Sequence, residues 1–307
     1  MSRIYKYFAN TNPMVQLLML LIMVVVFLFV GSFVSLLFLP LFSQGTDLTE
    51  ALLTMNDNIS FMRFMQALSQ VFCMLLPALL FAFMFHSDVV DFFKLRFART
   101  QIVVSLIGCV AFVAIIPVID IVTQWNNALH LPESMSDIEQ YIRNLGLQSE
   151  EMVAMFLEQD GGILLLLANI VVMAVVPAVC EEFIFRGAMQ QTCAKWFGNH
   201  HWAILLTAAV FSIIHFDLFN FMPRFLMGLL LGYIYYYSGT IWASVMAHFT
   251  NNALVVFMYY FFGAESVEIS TPGQANVWLI LASVVLTSIV LCFGIKEAKK
   301  LNNKGNI

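Results

Sequence analysis

Three short stretches late in the chain carry residues that could hydrolyse an amide. Glu181-Glu182-Phe183-Ile184-Phe185-Arg186 closes one apolar run, Phe211-Ser212-Ile213-Ile214-His215 ends another, and His248-Phe249-Thr250-Asn251-Asn252 lies within a third. Residues four apart share a helical face, so Glu182 and Arg186 can neutralise each other, Phe211 can lie against His215, and His248 can present its imidazole beside the Asn252 amide. Glu181 points elsewhere and stays available as a general base for water, with His215 placed to share and orient that water. His248 and Asn252 are donor types suited to an oxyanion as a carbonyl turns tetrahedral.

Each stretch alone is weak evidence, because a single histidine in an apolar helix is usually a hydrogen-bonded core residue. Together they carry more. Inserting an ionised side chain at mid-bilayer costs about 2.5–3.5 kcal/mol, and simple charge pairing would need fewer groups than two glutamates, two histidines and an arginine. The chain has no G-x-S-x-G and no H-E-x-x-H, so the local signatures of serine and zincin hydrolases are missing. Cys180 follows helical geometry about 100° away from Glu181, and Cys73, Cys109, Cys180, Cys193 and Cys292 form no C-x-x-C pair. They read as small apolar core residues rather than a disulfide framework.

The elements that must position these groups follow from composition. Of 307 residues, 61% are hydrophobic and 11% charged, with a mean hydropathy of +0.86, against roughly 45–50% and about 25% in a soluble domain. The expected fold is all-α: a polytopic transmembrane helical bundle, since hydrocarbon leaves backbone groups only helices or closed barrels and the apolar runs are continuous. Eight runs suit spans, near 14–42, 61–86, 101–124, 161–184, 202–216, 221–238, 240–262 and 276–295. With both termini inside, 11 of the 14 Lys and Arg fall toward the cytoplasm, as the positive-inside bias requires; Arg63, Arg143 and Arg224 fall outside with most of the acidic residues. No basic stripe suits nucleic acid.

Three regions result: 1–160, with the first spans and an external polar stretch holding a short surface helix; 161–262, the helical core with all three motifs; and 263–307, a last span and a basic, frayed tail. Residues 264–274 read as an external loop, Asp120 as a polar group at the outer end of the third span, and Tyr233, Tyr235, Tyr236 and Tyr237 as an interfacial belt. On these limits Glu181 and His215 lie at opposite depths. Because 187–197 contains no proline, the helix bearing Glu181 is expected to continue toward Trp196 and carry that residue to mid-membrane.

Glu-Glu-x-x-x-Arg, Phe-x-x-x-His and His-x-x-x-Asn, in that order on successive late helices, resemble the CAAX protease and bacteriocin-processing family of intramembrane endopeptidases. The type II CAAX prenyl proteases and lysostaphin-resistance-like proteins are among its members. The match covers roughly 176–254. The resemblance implies that Glu181 and His215 activate the water, that His248 and Asn252 form the oxyanion site, and that Glu182, Arg186 and Phe211 support them. It also implies a peptide or protein substrate, membrane-associated ones included, and the bilayer as solvent; members of the family are described both with and without a metal, and no cofactor is expected here because the sequence offers no i, i+4 His pair and Asn252 has a non-metal role. A zinc-dependent version would use Glu181, His215 and His248. The rival readings are a non-catalytic scaffold or immunity protein of the same fold and a proton-coupled transporter, against which the lack of an internal repeat counts. The expected location is a bacterial inner membrane, where prenylated substrates are not anticipated.

Overall fold

Backbone that crosses hydrocarbon must satisfy its own N–H and C=O groups, and all regular structure among the described residues is helical. The computed structural model describes residues 8, 10–43, 47–98, 101–157, 161–263 and 276–303. Helix α1 (Pro13–Phe38) starts at Asn12, whose Oδ1 accepts the Met14 N–H, with Pro13 in the first turn. Helix α2 (Ile59–Phe85) contains a π turn at Val71–Leu75. Helices α3 (Gln101–Ala114) and α4 (Ile116–Asn127) meet at a 44° bend beside Pro117, where the ring removes a backbone donor. Helix α5 (Ser136–Leu157) is amphipathic and followed by α6 (Gly162–Phe197), α7 (His200–Ile213), α8 (Phe221–Ser238), α9 (Ile241–Phe262) and α10 (Val277–Asn303).

Six of these are long and apolar enough to cross a membrane, and the bent α3–α4 pair makes a possible seventh. Of the eight expected runs, these account for six or seven candidate spans. The run near 202–216 forms only the 14-residue α7, about 21 Å at 1.5 Å per residue, against a hydrocarbon core of about 30 Å. Other boundaries move as well. The run near 161–184 continues to Phe197 as one 36-residue helix, the external surface helix spans 22 residues, and the tail stays helical to Asn303. Tyr235 is a core residue, 2% exposed, with Lys94 Nζ 4.7 Å over its ring, rather than a belt residue. Asp120 lies within α4, where its Oδ2 accepts from Gln124. All five cysteines are free. The expected loop at 264–274 and the basic Arg3, Lys6, Arg99 and Lys304 lie outside the described residues.

The largest apolar cluster lies where α2, α6, α7, α8 and α9 meet, around Phe81, Phe85, Phe183, Phe185, Phe211, Tyr235 and Ile241. Two glycines set this geometry. Gly198 takes φ +62° and reverses the chain between α6 and α7, a conformation open to a residue without Cβ. A Cβ on Gly228 would come 3.1 Å from the Ala208 backbone, so its absence lets α7 and α8 approach closely.

Helices α4 and α5 brace the turn between α7 and α8. Asn126 of α4 donates to Leu218 O and accepts the Met222 N–H, and the Arg143 guanidinium of α5 sits 3.7 Å over the Phe219 ring. Glu139 fixes the start of α5, accepting from the Leu131 N–H at 2.7 Å and from Arg143 Nε and His130 Nδ1 at 2.9 Å. The Leu131 N–H above all, then Arg143 and His130, hold its carboxyl down at about 2. A depressed value means that this anchor is fully present above the ordinary 4.5 and is lost as pH falls toward about 2. Hydrogen-exchange protection across 128–145 should therefore hold down to about that ordinary value and drop below it. Glu139→Gln should show the loss already at neutral pH, with α6 and α9 unchanged in both cases.

Candidate active site

Helix α6 carries the two glutamates between two π turns, Ile170–Val175 and Phe183–Gln190. Such one-residue insertions rotate the following face of a helix and are frequent at functional positions. Glu182 and Arg186 are both 0% exposed, and their pairing follows from the i, i+4 spacing: Arg186 Nη1 donates to Glu182 Oε1 at 2.8 Å. Arg186 Nη2 also donates to Gly228 O at 3.1 Å, and its Cζ lies 5.0 Å from the Phe211 ring centre. One side chain of α6 thereby fastens α7 and α8.

The imidazoles are oriented by what their Nδ1 atoms meet. His248 Nδ1 is 3.0 Å from Glu182 Oε1, and a carboxylate only accepts, so Nδ1 carries the proton and Nε2 faces Glu181 Oε2 at 3.8 Å. His215 Nδ1 is 2.7 Å from Phe211 O, so it too donates and leaves Nε2 as the free nitrogen. Asn252 accepts from Asn251 Nδ2 through Oδ1 at 3.1 Å, which leaves its own Nδ2 hydrogens to donate.

Glu181, Phe211, His215, His248 and Asn252 line one cavity of about 170 Å³, together with Arg224 and Asn251 and an apolar wall of Phe112, Met227 and Leu231. All the residues singled out by the motifs thus come together, with Glu182 and Arg186 directly behind the cavity wall. The extension of α6 past Arg186 removes the depth mismatch between Glu181 and His215. Next to His215, Phe216 adopts φ +52°, a left-handed conformation unfavourable for a bulky residue; it ends α7 abruptly and turns the chain into α8.

Sequence reasoning missed three residues here. Gln70 of α2 donates through Nε2 to Glu181 Oε1 at 3.2 Å; its only signal was an amide inside an apolar run. Arg224 lines the cavity and donates to Asp217 Oδ2 at 3.0 Å, although in the sequence it counted only as a charge. Asn251, part of the third stretch but given no role from sequence, also lines the cavity. As for zinc, no group of three His, Cys, Asp or Glu among the described residues is arranged to hold a metal ion. The donor set of Glu181, His215 and His248 does not fit one in this arrangement.

Residues 163–254 match the family model described as Type II CAAX prenyl endopeptidase Rce1-like. Over that segment the chain is similar to the Rce1-like family. The segment holds every motif residue from Glu181 to Asn252, whereas Gln70 lies outside it. "Putative membrane peptidase YdiL" of Bacillus subtilis (strain 168) is 30% identical over 125 residues, 39% of this chain and 48% of that protein. The chain therefore matches about half the length of that relative. No solved structure matches.

The buried pair within the Rce1-like segment yields a stability prediction. Removing one partner of a buried ion pair strands the other's charge and costs about 3–5 kcal/mol, whereas replacing both is far cheaper. Arg186→Ala should lower the unfolding midpoint of the purified protein in detergent substantially. Glu182→Gln combined with Arg186→Met should recover much of the loss, so the two effects should be strongly non-additive.

Proposed function

We propose that this protein is an integral-membrane endopeptidase that hydrolyses peptide bonds with a water held between Glu181 and His215. The observation that carries this reading is a single cavity containing a carboxylate, an unprotonated imidazole nitrogen and a carboxamide donor, backed by a neutralised Glu182–Arg186 pair. Glu181 removes a proton from the water while His215 Nε2 accepts the other hydrogen and aims the oxygen at the scissile carbonyl. Asn252 Nδ2 donates to the oxyanion of the tetrahedral intermediate. His248 Nε2 stands 3.8 Å from Glu181 Oε2, near enough to receive that proton, support the oxyanion and return the proton to the leaving amine.

A purely structural polar network would be expected to close on itself. Here His215 Nε2 and the Asn252 amide hydrogens face open volume, which favours catalysis over a scaffold or immunity role. The family match over 163–254 supports a peptidase, and the bacterial relative supports a bacterial membrane. Substrates are peptides or proteins that present an extended segment to the cavity from within or beside the bilayer. If α7 is counted as a short crossing and α3–α4 as one, the chain passes eight times and both termini lie in the cytoplasm, as the distribution of Lys and Arg requires.

The test compares new protein N-termini in membranes of cells producing the wild type or Glu181→Ala. Termini generated only by the wild type are expected, and His215→Ala should abolish the same set. Asn252→Ala should lower kcat by about 10²–10³, the usual worth of one oxyanion donor, with the unfolding midpoint retained. A chelator should leave turnover intact. Identical termini from wild type and Glu181→Ala would remove the peptidase reading.

A further inference from the structure

Among the described residues, Gln70 is the one polar side chain from outside the Rce1-like segment that is hydrogen bonded to the proposed base. It arrives from α2, 111 residues away in sequence, and is the last residue before the π turn Val71–Leu75. That turn contributes the extra residue that lets Gln70 face α6 while Phe81 and Phe85, further along the same helix, face the apolar core. An amide in a lipid-embedded helix is costly unless bonded, so its placement against a carboxylate calls for an explanation.

The bonding pattern provides one. Gln70 Nε2 donates to Glu181 Oε1, while Gln70 Oε1 is buried without a hydrogen-bond partner. An amide presents a donor and an acceptor on either side of one carbon, and its terminal torsion is soft and roughly two-fold. With Glu181 ionised, Nε2 faces the carboxylate. With Glu181 protonated, a half-turn brings Oε1 into the same position, where it accepts the new O–H. The unpartnered oxygen is therefore the atom needed once the base has taken its proton.

We propose that Gln70 is a positioning residue that holds Glu181 in one orientation through both protonation states of the catalytic cycle, by rotating its amide as the proton arrives and leaves. This rests on the peptidase reading above, in which Glu181 is the base. No atom of Gln70 touches the reacting water. Its effect is to keep Glu181 Oε2 directed at the cavity and at His248, so that the proton removed from water always lands at the same place.

The test uses the full-length protein in detergent and a fluorescence-quenched peptide spanning a cleavage site mapped by the comparison of termini. Gln70→Ala should lower kcat by about 10- to 100-fold, the worth of one hydrogen bond to a charged group, with KM and the unfolding midpoint unchanged. Gln70→Asn, one methylene too short to reach, should behave the same way. Gln70→Glu is the discriminating variant. Its introduced carboxyl can donate to Glu181 only when protonated, so its activity relative to wild type should be low at neutral pH and rise as pH falls. A merely structural role would give a ratio independent of pH. That result, or wild-type kcat in both Gln70→Ala and Gln70→Asn while Glu181→Ala is inactive, overturns the role of Gln70 and leaves the peptidase reading standing. Wild-type turnover in Glu181→Ala would instead remove both.

Discussion

A carboxylate and a guanidinium that have no access to water cannot be left apart in a hydrocarbon-solvated bundle, and the rest of this site is arranged around the one such pair among the described residues. Glu182 and Arg186 are closed off completely, so their separation on α6 is fixed by electrostatics as much as by helical spacing. Each then has bonding capacity left over, which is spent on neighbours. Glu182 Oε1 also takes the His248 Nδ1 proton, which orients the imidazole of α9. Arg186 reaches Gly228 of α8 and the Phe211 ring of α7. Four helices are registered through two side chains, and the cavity is the space left on the solvent-facing side of that knot.

Orientation of the remaining groups follows the same logic of buried partners. A histidine near a cavity has two possible neutral tautomers, and chemistry depends on which nitrogen is free. In His215 the choice is made by the Phe211 carbonyl four residues earlier on α7, a backbone group that the end of the helix leaves unpaired. In His248 it is made by Glu182. The sequence spacing Phe-x-x-x-His is thus more than a ring contact: it brings the imidazole back over the carbonyl that fixes its proton.

Much of this was legible before any coordinates. Ionisable residues inside apolar runs are expensive, so Glu181, Glu182, Arg186, His215 and His248 announced themselves, and the lack of proline after Arg186 foretold the length of α6. What could not be read were relations between distant segments. Gln70 meets Glu181 across 111 residues, and a neutral amide in an apolar run gives no cost signal comparable to a charge. The π turns change helical register by one residue without leaving a mark in the residue types. The run near 202–216 gave a shorter helix than its hydropathy suggested, because the apolar residues run on through Phe216 while the backbone stops at Ile213, turned by a left-handed Phe216 that no propensity scale anticipates.

That early stop is what opens the site. A helix of 14 residues, about 21 Å long, is shorter than a hydrocarbon core of about 30 Å, and its end leaves His215 on the wall of the cavity. Irregular backbone within a bilayer is tolerated only where protein covers it or water reaches it, and protein partners are present here. Asn126 bonds Leu218 O and the Met222 N–H, and Ser212 Oγ donates to Phe221 O, so the turn's peptide groups are met by side chains from α4 and α7. Asp217 accepts from Asn220 and Arg224, keeping a charge pair at the mouth of the cavity. A helix continued through Phe216 would have paired such backbone groups internally. The short helix and its satisfied turn bring an imidazole to the same cavity as the Glu181 carboxylate of the long α6.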